Sequence, residues 1–99
     1  MAQNPYFAPI NIAGPNTALN ISAATVVKSG VGVICRVNVT TAGTTAGAVY
    51  DFNATTGEGA ANLVASIPDV VGNYEVYFKC STGILIVPGT GQVVSVSYE

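Results

Sequence analysis

The chain has 99 residues, 49% of them apolar and only 8% charged, with three basic side chains, five acidic ones and no histidine. That length permits one domain around one core, and so few cations exclude the dense basic footprint that binding a phosphate backbone demands. Without imidazole there is no Ser-His-Asp or Cys-His machinery, no histidine metal site and no general base with an ordinary pKa near neutrality.

Residues 1–17 hold three of the five prolines and no charge. Each proline fixes φ and biases the residue before it toward extended backbone, so an extended N-terminal arm is expected over 1–17, followed by a domain over 18–99. Tyr6, Phe7, Ile10 and Ile12 make that arm too apolar for a solvated tail. Either it folds back along its own domain or it lies on a neighbour. In the second case these four side chains are the expected protein-interface anchors, because large apolar groups dominate such contacts.

From Thr17 onward, short β-branched runs alternate with Gly, Pro and Asn at intervals of about ten residues, the spacing of antiparallel sheets folded on each other. Strands are expected over 18–22, 24–29, 31–40, 46–52, 62–67, 74–80, 83–87 and 93–98. In the third run Val31, Val33, Cys35, Val37 and Val39 share the inward phase, and Gly32, Ile34, Arg36, Asn38 and Thr40 the outward one. Tyr74, Val76, Phe78 and Cys80 oppose Glu75, Tyr77 and Lys79 in the same way, and Val94, Val96 and Tyr98 oppose Val93, Ser95 and Ser97. The run Gly83 to Val87 is apolar throughout, which suits a strand buried on both faces or pressed against a partner.

Glycine at Ser29-Gly30, at Ser81-Thr82-Gly83 and in Pro88-Gly89-Thr90-Gly91 marks tight reversals, read as hairpins. The longer small-residue stretches 40–47 and 53–61 are expected to be exposed and mobile, or ordered only by contact. The fold class that follows is all-β: a single antiparallel β-sandwich, jelly-roll-like or immunoglobulin-like, of about seven to eight strands behind the extended arm.

Chemistry is sparse. Asp51, Glu58, Asp69, Glu75 and Glu99 are spread over different segments and read as solvated charges, so no enzyme is expected. An acidic pair would require the fold to bring two of them together, with Asp51 and Asp69 the ones to test. Asp51-Phe52-Asn53 offers too few oxygen ligands for calcium. Gly30-Val31-Gly32 and Gly89-Thr90-Gly91 lack the third glycine and following helix of a nucleotide cradle, and no cofactor is expected. Cys35 and Cys80 fall in inward phases and read as buried free thiols, bridged only if their strands are neighbours. Tyr77 is the tyrosine expected outside, with Tyr74 and Tyr98 inside. The first basic residue is Lys28 and no long apolar run occurs, so neither a secretory leader nor a membrane span is expected. The sequons at Asn20, Asn38 and Asn53 then read as chance triplets.

A surface this poor in charge must be built from Thr, Ser, Asn, Gly and Ala, and it offers little of the self-repulsion that keeps a free monomer dispersed. Much of it is therefore expected to be covered by neighbours.

The run Ala24-Thr25-Val26-Val27-Lys28-Ser29-Gly30-Val31-Gly32-Val33-Ile34-Cys35-Arg36-Val37-Asn38-Val39 resembles small virion structural proteins of tailed bacteriophages. So does the ending, in which the apolar strand Gly83 to Val87 and the Gly89-Thr90-Gly91 turn precede Val94-Ser95-Val96-Ser97-Tyr98. The likeness spans roughly residues 24–99 and leaves the arm unmatched. It implies a capsid decoration or cement protein: a β-sandwich on the outside of a phage head that ties the shell together through repeated contacts. Its partners would be the major capsid protein or another virion protein and further copies of itself, a trimer being favoured, on a particle assembled in the host cytoplasm. The resemblance contains no site motif, so it transfers no functional residue. The alternative is a head-fibre or tail-associated module that binds a host glycan, favoured by an exposed cluster of Tyr77 with the loop from Asn53 to Gly59.

Overall fold

The computed structural model describes residues 14–99, and the arm residues Tyr6, Phe7, Ile10 and Ile12 lie outside the described residues. Eight strands are present: β1 (Asn16–Ile21), β2 (Thr25–Ser29), β3 (Gly32–Thr41), β4 (Gly47–Tyr50), β5 (Leu63–Ile67), β6 (Gly72–Cys80), β7 (Gly83–Val87) and β8 (Val93–Tyr98). Each falls on an expected apolar run. β1 opens at Asn16, inside the stretch read as arm, and pairs Asn16 with Tyr98 and Thr17 with Ser97.

The strands form two four-stranded antiparallel sheets, with orders β1-β8-β3-β6 and β2-β7-β4-β5. Ile21, Ile34, Val37, Val39, Val94 and Val96 from the first sheet meet Val49, Ile67, Ile84 and Ile86 from the second in one core, so the architecture is sandwich-like. Burying each of these side chains contributes about 1.5–3 kcal/mol. Among the described strands, β4 and β5 are the only chain-adjacent ones that pair. The turns at 29–30, 81–83 and 88–91, expected as hairpins, instead carry the chain from one sheet to the other. Glycine reports a local reversal, while the partner of a strand is decided by which apolar face it must cover.

β3 departs from uninterrupted alternation. Its register shifts between Ile34 and Arg36 against both β6 and β8, and the inward phase changes there. Ile34, expected outside, is fully buried, Val37 and Val39 keep the inward phase, and Val31, expected inside, is 60% exposed. A β-bulge of this kind inserts one residue without any signature in an all-apolar stretch. Phe78, expected inside, pairs with Ile34 but is 50% exposed on the edge strand β6 and is not among the side chains packed on the core.

β7 is buried on both faces within the single chain. Ile84 and Ile86 point into the core, while Leu85, facing the other way between its cross-strand partners Val26 and Tyr50, also has no exposed surface.

The antiparallel order puts the β1–β2, β3–β4, β5–β6 and β7–β8 connections at one end of the sandwich and the other three at the opposite end. At the first end the 40–47 loop is exposed but fastened: the Thr44 N–H donates to the Thr90 carbonyl at 2.8 Å, and the Thr90 N–H to Thr45 Oγ1 at 2.9 Å. Gln92 is fully buried there; its Nε2 donates to the Pro68 carbonyl at 2.9 Å and its Oε1 accepts from the Gly89 N–H at 3.0 Å. Glycine is needed beside it, because a Cβ on Gly47 would lie 2.6 Å from Gln92 Oε1.

Candidate functional site

The outward phases of the first sheet, read across the strands, make two polar rows. Thr17, Ser97, Arg36 and Glu75 are successive cross-strand partners over β1, β8, β3 and β6. Ser95, Asn38 and Asn73 form the second row over β8, β3 and β6. Between them lies an open groove of about 270 Å³, with Leu19 of β1 as its apolar wall. Pleating brings these side chains to one face because they occupy alternate positions, and antiparallel pairing brings the rows into line.

Arg36 is the one cation in the groove, and it is already engaged. Its Nε donates to the Tyr77 hydroxyl at 3.0 Å and a terminal nitrogen lies 3.6 Å from the Glu75 carboxylate. The Tyr77 hydrogen bond is the largest influence that raises the guanidinium above its ordinary pKa, and Glu75 adds to it. Tyr77 itself has φ of 48°, a left-handed conformation unusual for an aromatic residue. Of the two serines, Ser95 Oγ accepts the Asn20 N–H at 3.3 Å, whereas the buried Ser97 Oγ has no hydrogen-bond partner among the described residues. A face of this kind offers donors and acceptors in similar number, with its positive charge locally balanced.

The sequence-predicted candidates land elsewhere. Asp51 does not join another carboxylate. Its Oδ1 accepts the Thr82 and Gly83 N–H groups at 2.7 and 3.2 Å, and its Oδ2 the Ser81 N–H at 3.0 Å, so it fastens the β6–β7 turn. Burial pushes its pKa up, the three N–H bonds pull it down, and the net position is below the usual carboxylate value. Glu75 is spent on Arg36. Among the described residues no cluster of His, Cys, Asp and Glu could hold a metal ion.

Cys35 and Cys80 are buried and unbridged. Burial, and to a lesser degree the Glu99 charge, raises the Cys35 thiol, and burial with the Asp51 charge pushes Cys80 up to about 11, so both stay protonated and weakly nucleophilic near neutrality. Tyr74 and Tyr98 pack against the core as expected, and Tyr77 is 41% exposed on the groove face. At the root of the loop from Asn53 to Gly59, Asn53 abuts Gly83 in the second sheet, and the Tyr77 hydroxyl bonds Arg36 rather than any loop residue.

Sequence reasoning missed the groove as a unit. Its signal was present in the outward phases of two strands, Arg36 and Asn38 in β3 and Ser95 and Ser97 in β8, but their alignment requires knowing that β8 lies between β1 and β3. Six further large hydrophobic side chains are exposed besides Tyr77: Leu19, Val31, Leu63, Val70, Val71 and Phe78. Val70 and Val71 form an adjacent pair at the tip of the β5–β6 connection, held by the Tyr74 hydroxyl donating to the Val70 carbonyl at 2.8 Å. No helix of the described residues is long and apolar enough to cross a membrane. No family model matches the chain, and neither a curated protein nor a solved structure is similar to it.

Proposed function

We propose that the chain is a structural component of a larger protein shell, a capsid decoration or cement protein on the outside of a phage head. The observation that carries this reading is the character of the described surface. It exposes seven large hydrophobic side chains on a chain with only eight charged residues. Such a surface is stabilised by being covered. The strand orders β1-β8-β3-β6 and β2-β7-β4-β5 are those of a jelly roll, an architecture that viral capsid domains use among others. Fold alone does not assign function, so this supports the reading without carrying it.

The mechanism is passive clamping. The apolar residues Tyr6, Phe7, Ile10 and Ile12 of the arm reach a neighbouring subunit or the major capsid protein, while the rigid body covers a second neighbour. About 800 Å² per partner is ordinary for a specific contact, and repetition over a shell multiplies a modest affinity. Homo-oligomers, a trimer favoured, on the capsid exterior are the form it takes. The arm is tested by deleting residues 2–13, which leaves β1 whole, and measuring co-sedimentation with particles and the solution mass. Full-length chain that is oligomeric and sediments with particles, against a truncated chain that does neither, is the expected result. A monodisperse full-length monomer, indifferent to particles, would remove the proposal.

A further inference from the structure

We infer that the outer face of the β1-β8-β3-β6 sheet is a binding site for a neutral saccharide, with the groove between its two polar rows receiving one sugar ring. This rests on the groove alone and not on the assembly reading. A sugar presents vicinal hydroxyls, each of which donates one hydrogen bond and accepts up to two. The groove answers with groups of the same dual character: the Asn38 and Asn73 amides and the Ser95 and Thr17 hydroxyls. A phosphate, sulfate or carboxylate ligand would need donors only and would meet the Glu75 carboxylate beside the single guanidinium.

Three details go beyond composition. The groove volume, about 270 Å³, falls just below the usual range for small-molecule sites and suits one ring rather than a nucleotide or a peptide. Tyr77, at φ of 48°, accepts the Arg36 Nε–H on its hydroxyl, which orients the guanidinium beside the groove before any ligand arrives. Leu19, 71% exposed at the rim, provides apolar contact for the C–H face of a ring.

The site is tested on the full chain by nuclear magnetic resonance titration with a panel of neutral di- and trisaccharides built from glucose, galactose, mannose and N-acetylhexosamines. The same titration is run with inorganic sulfate and glucuronic acid. At least one neutral sugar is expected to shift the amides of Arg36, Asn38, Asn73, Ser95 and Ser97 and to leave those around Val70 in place. Asn38→Ala combined with Asn73→Ala, both at exposed positions, is expected to weaken that binding by about tenfold or more, as loss of two hydrogen-bonding partners does. Val70→Ser is expected to leave it unchanged. No shift at the groove with any neutral sugar at millimolar concentration overturns the inference. So do tighter binding of sulfate or glucuronic acid, and a double variant that keeps its affinity while its remaining spectrum shows an intact fold.

Discussion

Gln92 and Asp51 each gather three strand connections, at opposite ends of the sandwich, but they differ in charge and in depth. Gln92 is fully buried and links the β5–β6 connection through Pro68 with the β7–β8 turn through Gly89, while the β3–β4 connection packs on it at Gly43 and Gly47. Asp51 is only half-buried. From the start of the β4–β5 connection it holds the β6–β7 turn by three N–H groups, and the Gly30 N–H ties the β2–β3 turn to the same place through the Thr82 carbonyl at 2.8 Å. One end is thus closed by a neutral amide that donates and accepts, and the other by an anion that only accepts. An amide in a dry site has large consequences when removed and none when pH changes; a carboxylate near solvent is the reverse.

The largest expected effect is at Gln92. Gln92→Ala removes the fully buried amide that ties the Gly89 N–H to the Pro68 carbonyl and opens a cavity where it sat, so a loss of about 2–4 kcal/mol is expected. Chemical denaturation should show the midpoint falling with an unchanged slope. The loss should be the same at pH 3 and pH 7, since nothing that titrates is removed. Gly47→Ala drives a Cβ against Gln92 Oε1 and is expected to cost about 1–3 kcal/mol by the same measurement. If Gly47→Ala is as stable as the parent, the tight closure at this end is not what fastens it.

Asp51→Asn is expected to cost less, about 1–2 kcal/mol at neutral pH, because part of the attraction is screened by solvent. One carboxylate oxygen becomes an NH₂ group that faces a backbone donor. The pH dependence separates the two ends. The folded-state pKa of Asp51 lies below the ordinary value near 3.9, so its stabilisation is fully present above that value and is lost as pH falls through the folded pKa. The gap between parent and Asp51→Asn should therefore close in acid, whereas the gap for Gln92→Ala stays open. A gap for Asp51→Asn that is constant from pH 7 to pH 2 would show that the ionised carboxylate is not the clamp.

How much of this was readable in the sequence depended on what each residue signals locally. The eight apolar runs, the double burial of β7 and the inward Tyr74 and Tyr98 were legible because alternation and continuous hydrophobicity report burial directly. The phase change in β3 was not, since Val33, Ile34 and Cys35 are all apolar and either phase satisfies the pattern. The glycines at 29–30, 81–83 and 88–91 announced three reversals but not their destinations, so sheet-crossing turns read as hairpins. Gln92 follows a Pro-Gly-Thr-Gly turn and looks like surface. Its burial is decided by loops from 24 and 49 positions earlier in the chain, at Pro68 and Gly43. Asp51 read as a solvated charge for the same reason. The groove needed the strand order, which no single segment contains.

Cys80 gives the finest discrimination between the ends, because it is the last residue of β6 and immediately precedes the turn that Asp51 holds. Burial first, and the Asp51 charge second, push its thiol up to about 11. Asp51→Asn removes the charge and loosens the turn together, and both changes favour the reactive thiolate. Alkylation at pH 8, with the two sites resolved by mass spectrometry, is therefore expected to accelerate at Cys80 more than at Cys35. In Gln92→Ala the opening lies at the far end, and the two thiols should speed up together in proportion to global unfolding. Equal acceleration of both cysteines in Asp51→Asn would mean that the turn held by Asp51 does not open by itself but together with the neighbouring start of β3.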